Sequence, residues 1–140
     1  MTQTRRDFVG SGLALAAAFF GLPQIASAAT LEEAIAAFTS GTEAGADGIT
    51  LIAPEIAENG NTVPIEVNAP GAAAIMLLAA GNPNPDVCTV EFGPAAGSQL
   101  ISTRIRLAGE QEVIAIARMA DGSFRQARQT VRVTIGGCGG

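Results

Sequence analysis

Gly136-Gly137-Cys138-Gly139-Gly140 holds a thiol between two pairs of glycines. Glycine places no side chain beside the sulfur and accepts almost any backbone path, so the sequence predicts a flexible arm built from Gly136, Gly137, Gly139 and Gly140. Five extended residues span roughly 16 Å, enough to carry the thiol into a narrow site on another protein. A free cysteine has a reference pKa of about 8.5. The chain has no His and no Lys to lower it. Cys138 is therefore a poor catalyst alone. It is suited to accept a group activated by another enzyme and then to carry it, which makes the chain a covalent carrier and not an enzyme.

The rest of the inventory agrees. In 140 residues there is no His, Lys, Trp or Tyr, and there are only two Cys. A His-based triad, a His metal site, a P-loop lysine and a Schiff-base lysine are all absent by composition. No resident metal or cofactor is expected. Eight arginines face thirteen carboxylates for a net charge of −5, the wrong sign for a nucleic-acid binder.

The N-terminus reads as an address. Arg5 and Arg6 precede Phe8 and an apolar run from Leu13 to Phe20, and Ala26-Ser27-Ala28 offers a small-x-small cleavage site. The apolar stretch from Leu13 to Leu22 is well short of the ~20 residues that span a bilayer, so no membrane anchor is expected. Residues 1–28 are read as a twin-arginine (Tat) signal, cleaved near Ala28, and the protein as periplasmic. That route exports folded proteins, and with no metal expected here, a partner subunit carried in the same complex is the better reason for it. Cleavage leaves six arginines against twelve carboxylates, a net charge of −6, and Phe38, Phe92 and Phe124 as the aromatics.

The elements that must position the thiol follow in residues 29–135. Thr30 and Glu33 form a capping box, with Leu31, Ala34, Ile35 and Phe38 on one face of a short helix that Gly41 ends. Strands are predicted at Ile49–Ala53, Thr62–Asn68, Ala74–Ala79, Val87–Phe92, Ile101–Leu107, Val113–Met119 and from Phe124 to Ile135. Asp121-Gly122 is a hairpin signal. The apolar parity of the last strand shifts between Phe124 and the set Ala127, Val131, Val133 and Ile135, which predicts a bulge. The fold class is all-β: an immunoglobulin-like antiparallel β-sandwich with a short N-terminal helix and a glycine-rich C-terminal tail at 136–140.

Three ambiguities stay open at this level. The apolar runs Ala72–Ala80 and Val113–Ala117 fit either central core strands or a partner-facing surface, with core favoured. From Ile101 onward six arginines meet three carboxylates, whereas residues 29–100 hold nine carboxylates and no cation. Cross-strand pairing over a solvated face is the plainer account; a cationic patch of Arg104, Arg106, Arg128 and Arg132 for anionic ligands is the sharper one. Cys88 shares a face with Val90 and Phe92 and reads as core, but a Cys88–Cys138 disulfide is allowed in an oxidising compartment.

The Tat-type signal, Gly60-Asn61-Thr62-Val63-Pro64, Gly81-Asn82-Pro83-Asn84-Pro85, Ser102-Thr103-Arg104-Ile105-Arg106-Leu107 and the terminal Gly136–Gly140 motif together resemble the SoxY family of sulfur carriers. That resemblance implies an immunoglobulin-like sandwich in an obligate heterodimer with SoxZ. It implies that Cys138 bears thiosulfate-derived intermediates, joined by the SoxAX cytochrome, relieved of sulfate by the manganese hydrolase SoxB, and oxidised in some systems by the SoxCD dehydrogenase. All cofactors then belong to the partners. The alternative from another class is a structural or interaction β-domain whose tail cysteine only forms an intersubunit disulfide.

Overall fold

The computed structural model describes residues 30–135. The one helix among the described residues, α1 (Leu31–Thr39), begins as its first residues dictate. The Thr30 hydroxyl accepts from the Glu33 amide at 3.3 Å, and the Glu33 carboxylate accepts from the Thr30 amide at 2.8 Å. This reciprocal box satisfies two donors that a helix start otherwise leaves unpaired. The helix stops one residue before the expected glycine: Ser40 already takes the left-handed conformation at φ 53°, and Gly41 continues it at φ 75°.

Strands β1 (Ala44–Gly45), β2 (Thr50–Ile52), β3 (Ile56–Ala57), β4 (Val63–Asn68) and β5 (Ala72–Ala79) come next, then β6 (Asp86–Glu91), β7 (Leu100–Ile105), β8 (Gln111–Met119) and β9 (Phe124–Val133). One sheet runs in the order β1-β9-β8-β5-β6 with β3 added against β9, and a second runs β2-β4-β7. The fold is mostly β, as expected, but not purely antiparallel: β1 and β3 both lie parallel to β9. Each is two residues long, too short for any alternation to mark it in the sequence.

The larger sheet is covered on both sides. Ile75 and Leu77 of β5 and Val113, Ala115 and Ala117 of β8 meet Val63, Ile65 and Val67 of β4 and Leu107 in one core. Met76 and Leu78 of β5 and Ile114 and Ile116 of β8 point the other way, under Leu31, Ala34, Ile35 and Phe38 of α1. A strand buried on both faces reads as a continuous apolar run. That is why Ala72–Ala79 and Val113–Ala117 show no alternation, and both are central core strands. Each fully buried Ile or Leu here contributes about 1.5–3 kcal/mol of apolar burial.

The same two-sided burial corrects the expected bulge in β9. Its register against β8 runs without interruption from Arg118↔Phe124 to Gln111↔Val131. Phe124 faces the helix, where its ring meets Phe38 edge-on at 5.9 Å, while Val131 and Val133 face the sandwich core. The parity shifts because the two faces are covered by different elements along the strand's length. The irregularities lie instead on β5, between Leu77 and Leu78 against β6 and between Ala72 and Ala74 against β8. The Asp121-Gly122 turn is a hairpin as expected, closed by Met119 and Ser123 (N···O 2.8 Å) with Gly122 at φ 85°.

Candidate functional site

Cys138 and its flanking Gly136, Gly137, Gly139 and Gly140 lie outside the described residues, as do Arg5 and Arg6 of the signal. What the structure describes is the root from which the cysteine segment departs. The β8–β9 ladder ends at Gln111↔Val131, and the last residues before the cysteine segment, Arg132 to Ile135, are held by the segment 55–60. The Arg132 amide donates to Glu55 O at 2.9 Å, the Thr134 amide to Ala57 O at 3.0 Å, and the Thr134 hydroxyl to Glu58 O at 3.2 Å. The Gly60 amide donates to Ile135 O at 2.9 Å, and the Gly60 carbonyl accepts from the Leu107 amide at 2.7 Å. Gly60 is buried, so both of its backbone groups depend on these partners.

The neighbouring loop locks the same end. Asn82 donates through Nδ2 to Arg106 O at 2.8 Å, and its Oδ1 accepts from the Ala108 amide at 2.9 Å and from Gln111 Nε2 at 3.0 Å. The Gln111 Oε1 accepts from the Gly81 amide at 2.9 Å. A Cβ on Gly81 would stand 2.9 Å from Gln111 Cβ, so glycine is what permits this approach. The three internal motifs, at Gly60, at Gly81 to Pro85 and at Ser102 to Leu107, thus converge on the base of the cysteine segment. Their convergence was not legible in sequence: each is a turn or strand cue locally, and only the long-range hydrogen bonds through Gly60 and Asn82 join them.

The arginines divide. Arg128 pairs with Glu112 at 3.0 Å, Arg132 with Glu110 at 3.8 Å and Arg118 with Glu91 at 3.5 Å. Cross-strand pairing therefore accounts for Arg128 and Arg132, and the four-arginine patch does not exist as such. Arg104 and Arg106 make no ion pair among the described residues. Arg104 is exposed on β7 of the smaller sheet and Arg106 is exposed just past its end, while Ile105 and Leu107 between and beyond them are buried.

Cys88 lies half-buried on the edge strand β6, with no disulfide partner among the described residues, and it packs with Phe92 against the main core; Val90 is partly buried. Burial pushes its pKa up, and the Asp86 carboxylate adds to the effect. Such a thiol is a weak nucleophile. Among the described residues no group of three or more Cys, Asp or Glu gathers as a metal site, and no helix is long and apolar enough to cross a membrane.

A mostly β domain with one helix on its outer face, whose final strand is fastened up to the base of a terminal cysteine motif, is the class these features define. The family model described as sulfur oxidation protein SoxY matches residues 35–138, and the chain belongs to the SoxY family. Among solved structures, the sulfur carrier protein SoxY from Chlorobium limicola f thiosulfatophilum is 33% identical, with 76% of this chain and 97% of that one covered and a TM-score of 0.64. A superoxide reductase (neelaredoxin) from Ignicoccus hospitalis is 21% identical, with 61% of this chain and 79% of that one covered and a TM-score of 0.53, a likeness of fold alone. No curated protein matches the sequence.

Proposed function

We propose that this protein is a covalent sulfur carrier of a Sox thiosulfate-oxidation system, with Cys138 as the attachment point. The observation that carries the reading is the family match over residues 35–138, which ends on that cysteine. Two physical features support it. The chain is fixed by hydrogen bonds up to Ile135, three residues before Cys138 in the sequence. The chain also lacks any His or Lys to activate the thiol, so activation falls to the site that receives it.

Carriage needs little from the carrier. A partner enzyme oxidatively joins thiosulfate to the Cys138 sulfur, a hydrolase removes the terminal sulfonate as sulfate, and the thiol keeps the sulfane sulfur for the next step. On this reading SoxZ is the heterodimer partner, SoxAX, SoxB and, where present, SoxCD are transient visitors, and residues 1–28 direct Tat export to the periplasm. The domain at 29–135 is then an immunoglobulin-like sandwich, and 136–140 its swinging arm. Cys138→Ser tests the reading in cells. Thiosulfate oxidation should be lost while the protein accumulates normally; unchanged oxidation would make the cysteine a mere intersubunit staple.

A further inference from the structure

Ile52 and Ile56 stand 56% and 58% exposed, four residues apart on the chain. Pro54 between them is half-buried, and Pro64 of β4 is exposed beside them. The register makes this one surface: Ile52 lies opposite Glu66, and Pro64 is two residues from Glu66 on the same face of β4. Two cavities of about 330 and 300 Å³ share Pro54 and Pro64 in their walls, the first with Ile52 and Glu66, the second with Ile56 and Glu58. A third, of about 400 Å³, shares Ile56 and adds Glu55 and Arg132. Large apolar side chains gathered inside a polar rim mark a contact with another protein.

The surface suits a face-on contact and not strand addition. β2 ends at Ile52, and Pro54 follows. The Ala69 amide donates to Gln99 O on the β7 side, so alternation turns the nitrogen of residue 64 toward the β2 side. Being proline, it offers no N–H to a further strand there. The rim then decides the partner. Glu55, Glu58 and Glu66 border the apolar centre, and none forms an ion pair among the described residues. On the cationic side are Arg104, opposite Pro64, and Arg132, which is paired with Glu110. A two-fold contact between two copies would set this acidic border against itself, on chains of net charge −5.

We propose that Ile52, Pro54, Ile56 and Pro64 form a docking face for a different protein subunit, one that presents an apolar centre with a basic border. The inference goes beyond the carrier reading, because it rests on the described domain alone and holds whatever Cys138 carries.

The test compares the free chain with the assembly isolated intact from its own cells. Native mass counts the subunits, and carbene footprinting reports which side chains they cover. The free chain should label at Ile52, Ile56 and Pro64. The assembly should hold one copy of this chain beside a different one, with that labelling lost while Thr89, exposed on β6, labels equally in both. I52E/I56E should weaken the assembly by more than about tenfold. E55Q/E58Q/E66Q should weaken it by about threefold to tenfold, and less so at high salt. An assembly of two copies, no assembly at all, or protection confined to another face would overturn the proposal. So would a free chain that does not label there, which would mean its own terminal segment covers the surface, or a glutamine variant that assembles more tightly. Footprint and subunit mass are independent of the cargo, so failure here and failure of the carrier reading are separate results.

Discussion

The Gly60 amide donates to the Ile135 carbonyl at 2.9 Å, tying the last described residue to a loop that the opposite sheet also grips through Leu107. One buried glycine thus fastens both sheets at the point where the cysteine segment starts. The domain's outer elements are fastened with equal specificity, and each attachment makes a measurable prediction.

Asn82→Ala removes one donor and one acceptor that together make three hydrogen bonds to Arg106, Ala108 and Gln111. The bonds to Arg106 and Ala108 are exposed and the one to Gln111 is part-buried, so their joint loss costs about 1–2 kcal/mol. We expect a loss of that size in urea denaturation, with faster amide exchange at Ala108 and Gly81. A change under about 0.5 kcal/mol, the size of an ordinary surface substitution, would show that the loop does not brace this end.

Phe38→Ala should loosen α1 and leave the sheets paired. Phe38 meets Phe124 edge-on, and the Arg118 guanidinium lies 5.9 Å from its ring centre. Half-burial places the loss below that of a fully buried aromatic, at about 2 kcal/mol. Hydrogen exchange should accelerate in Leu31–Thr39 and stay slow in β5 and β8. Equal acceleration in all three would mean that the helix and sheet unfold as one unit.

Cys88 should be slow to alkylate near neutral pH. The thiolate is the reactive form, and burial and the Asp86 charge both disfavour it, burial more strongly. Its rate should stay low through neutrality and rise at alkaline pH, above the range of an ordinary thiol. Asp86→Asn should speed the reaction at a given pH by less than unfolding does. A neutral-pH rate matching that of the unfolded chain would contradict this account, and the measurement follows the Cys88 peptide by mass.

Local cues made much of this domain legible. The Thr30–Glu33 box, the helix face and the longer strands follow from capping chemistry, from alternation and, for β5 and β8, from continuous apolar runs. The parity shift in β9 was legible as a signal, but its cause was not: a bulge and a strand with different neighbours on its two faces give the same sequence. The two-residue strands Ala44–Gly45 and Ile56–Ala57 carry no period of their own and exist because β9 has free edge groups to pair. Cys138 stood out by its glycines. The residues that brace its base did not, because Gly60 and Asn82 act through partners more than 20 residues away.

The central claim is that Cys138 carries sulfur, and the mass of its own peptide tests that most directly. The protein is recovered from cells oxidising thiosulfate, digested without reductant, and the peptide containing Cys138 is weighed before and after DTT. The carrier account predicts added sulfane or thiosulfonate groups that DTT removes, confined to that peptide and absent from the one containing Cys88. A Cys138 peptide found only as a free thiol or as a disulfide to another chain, under conditions where thiosulfate is being consumed, would contradict it.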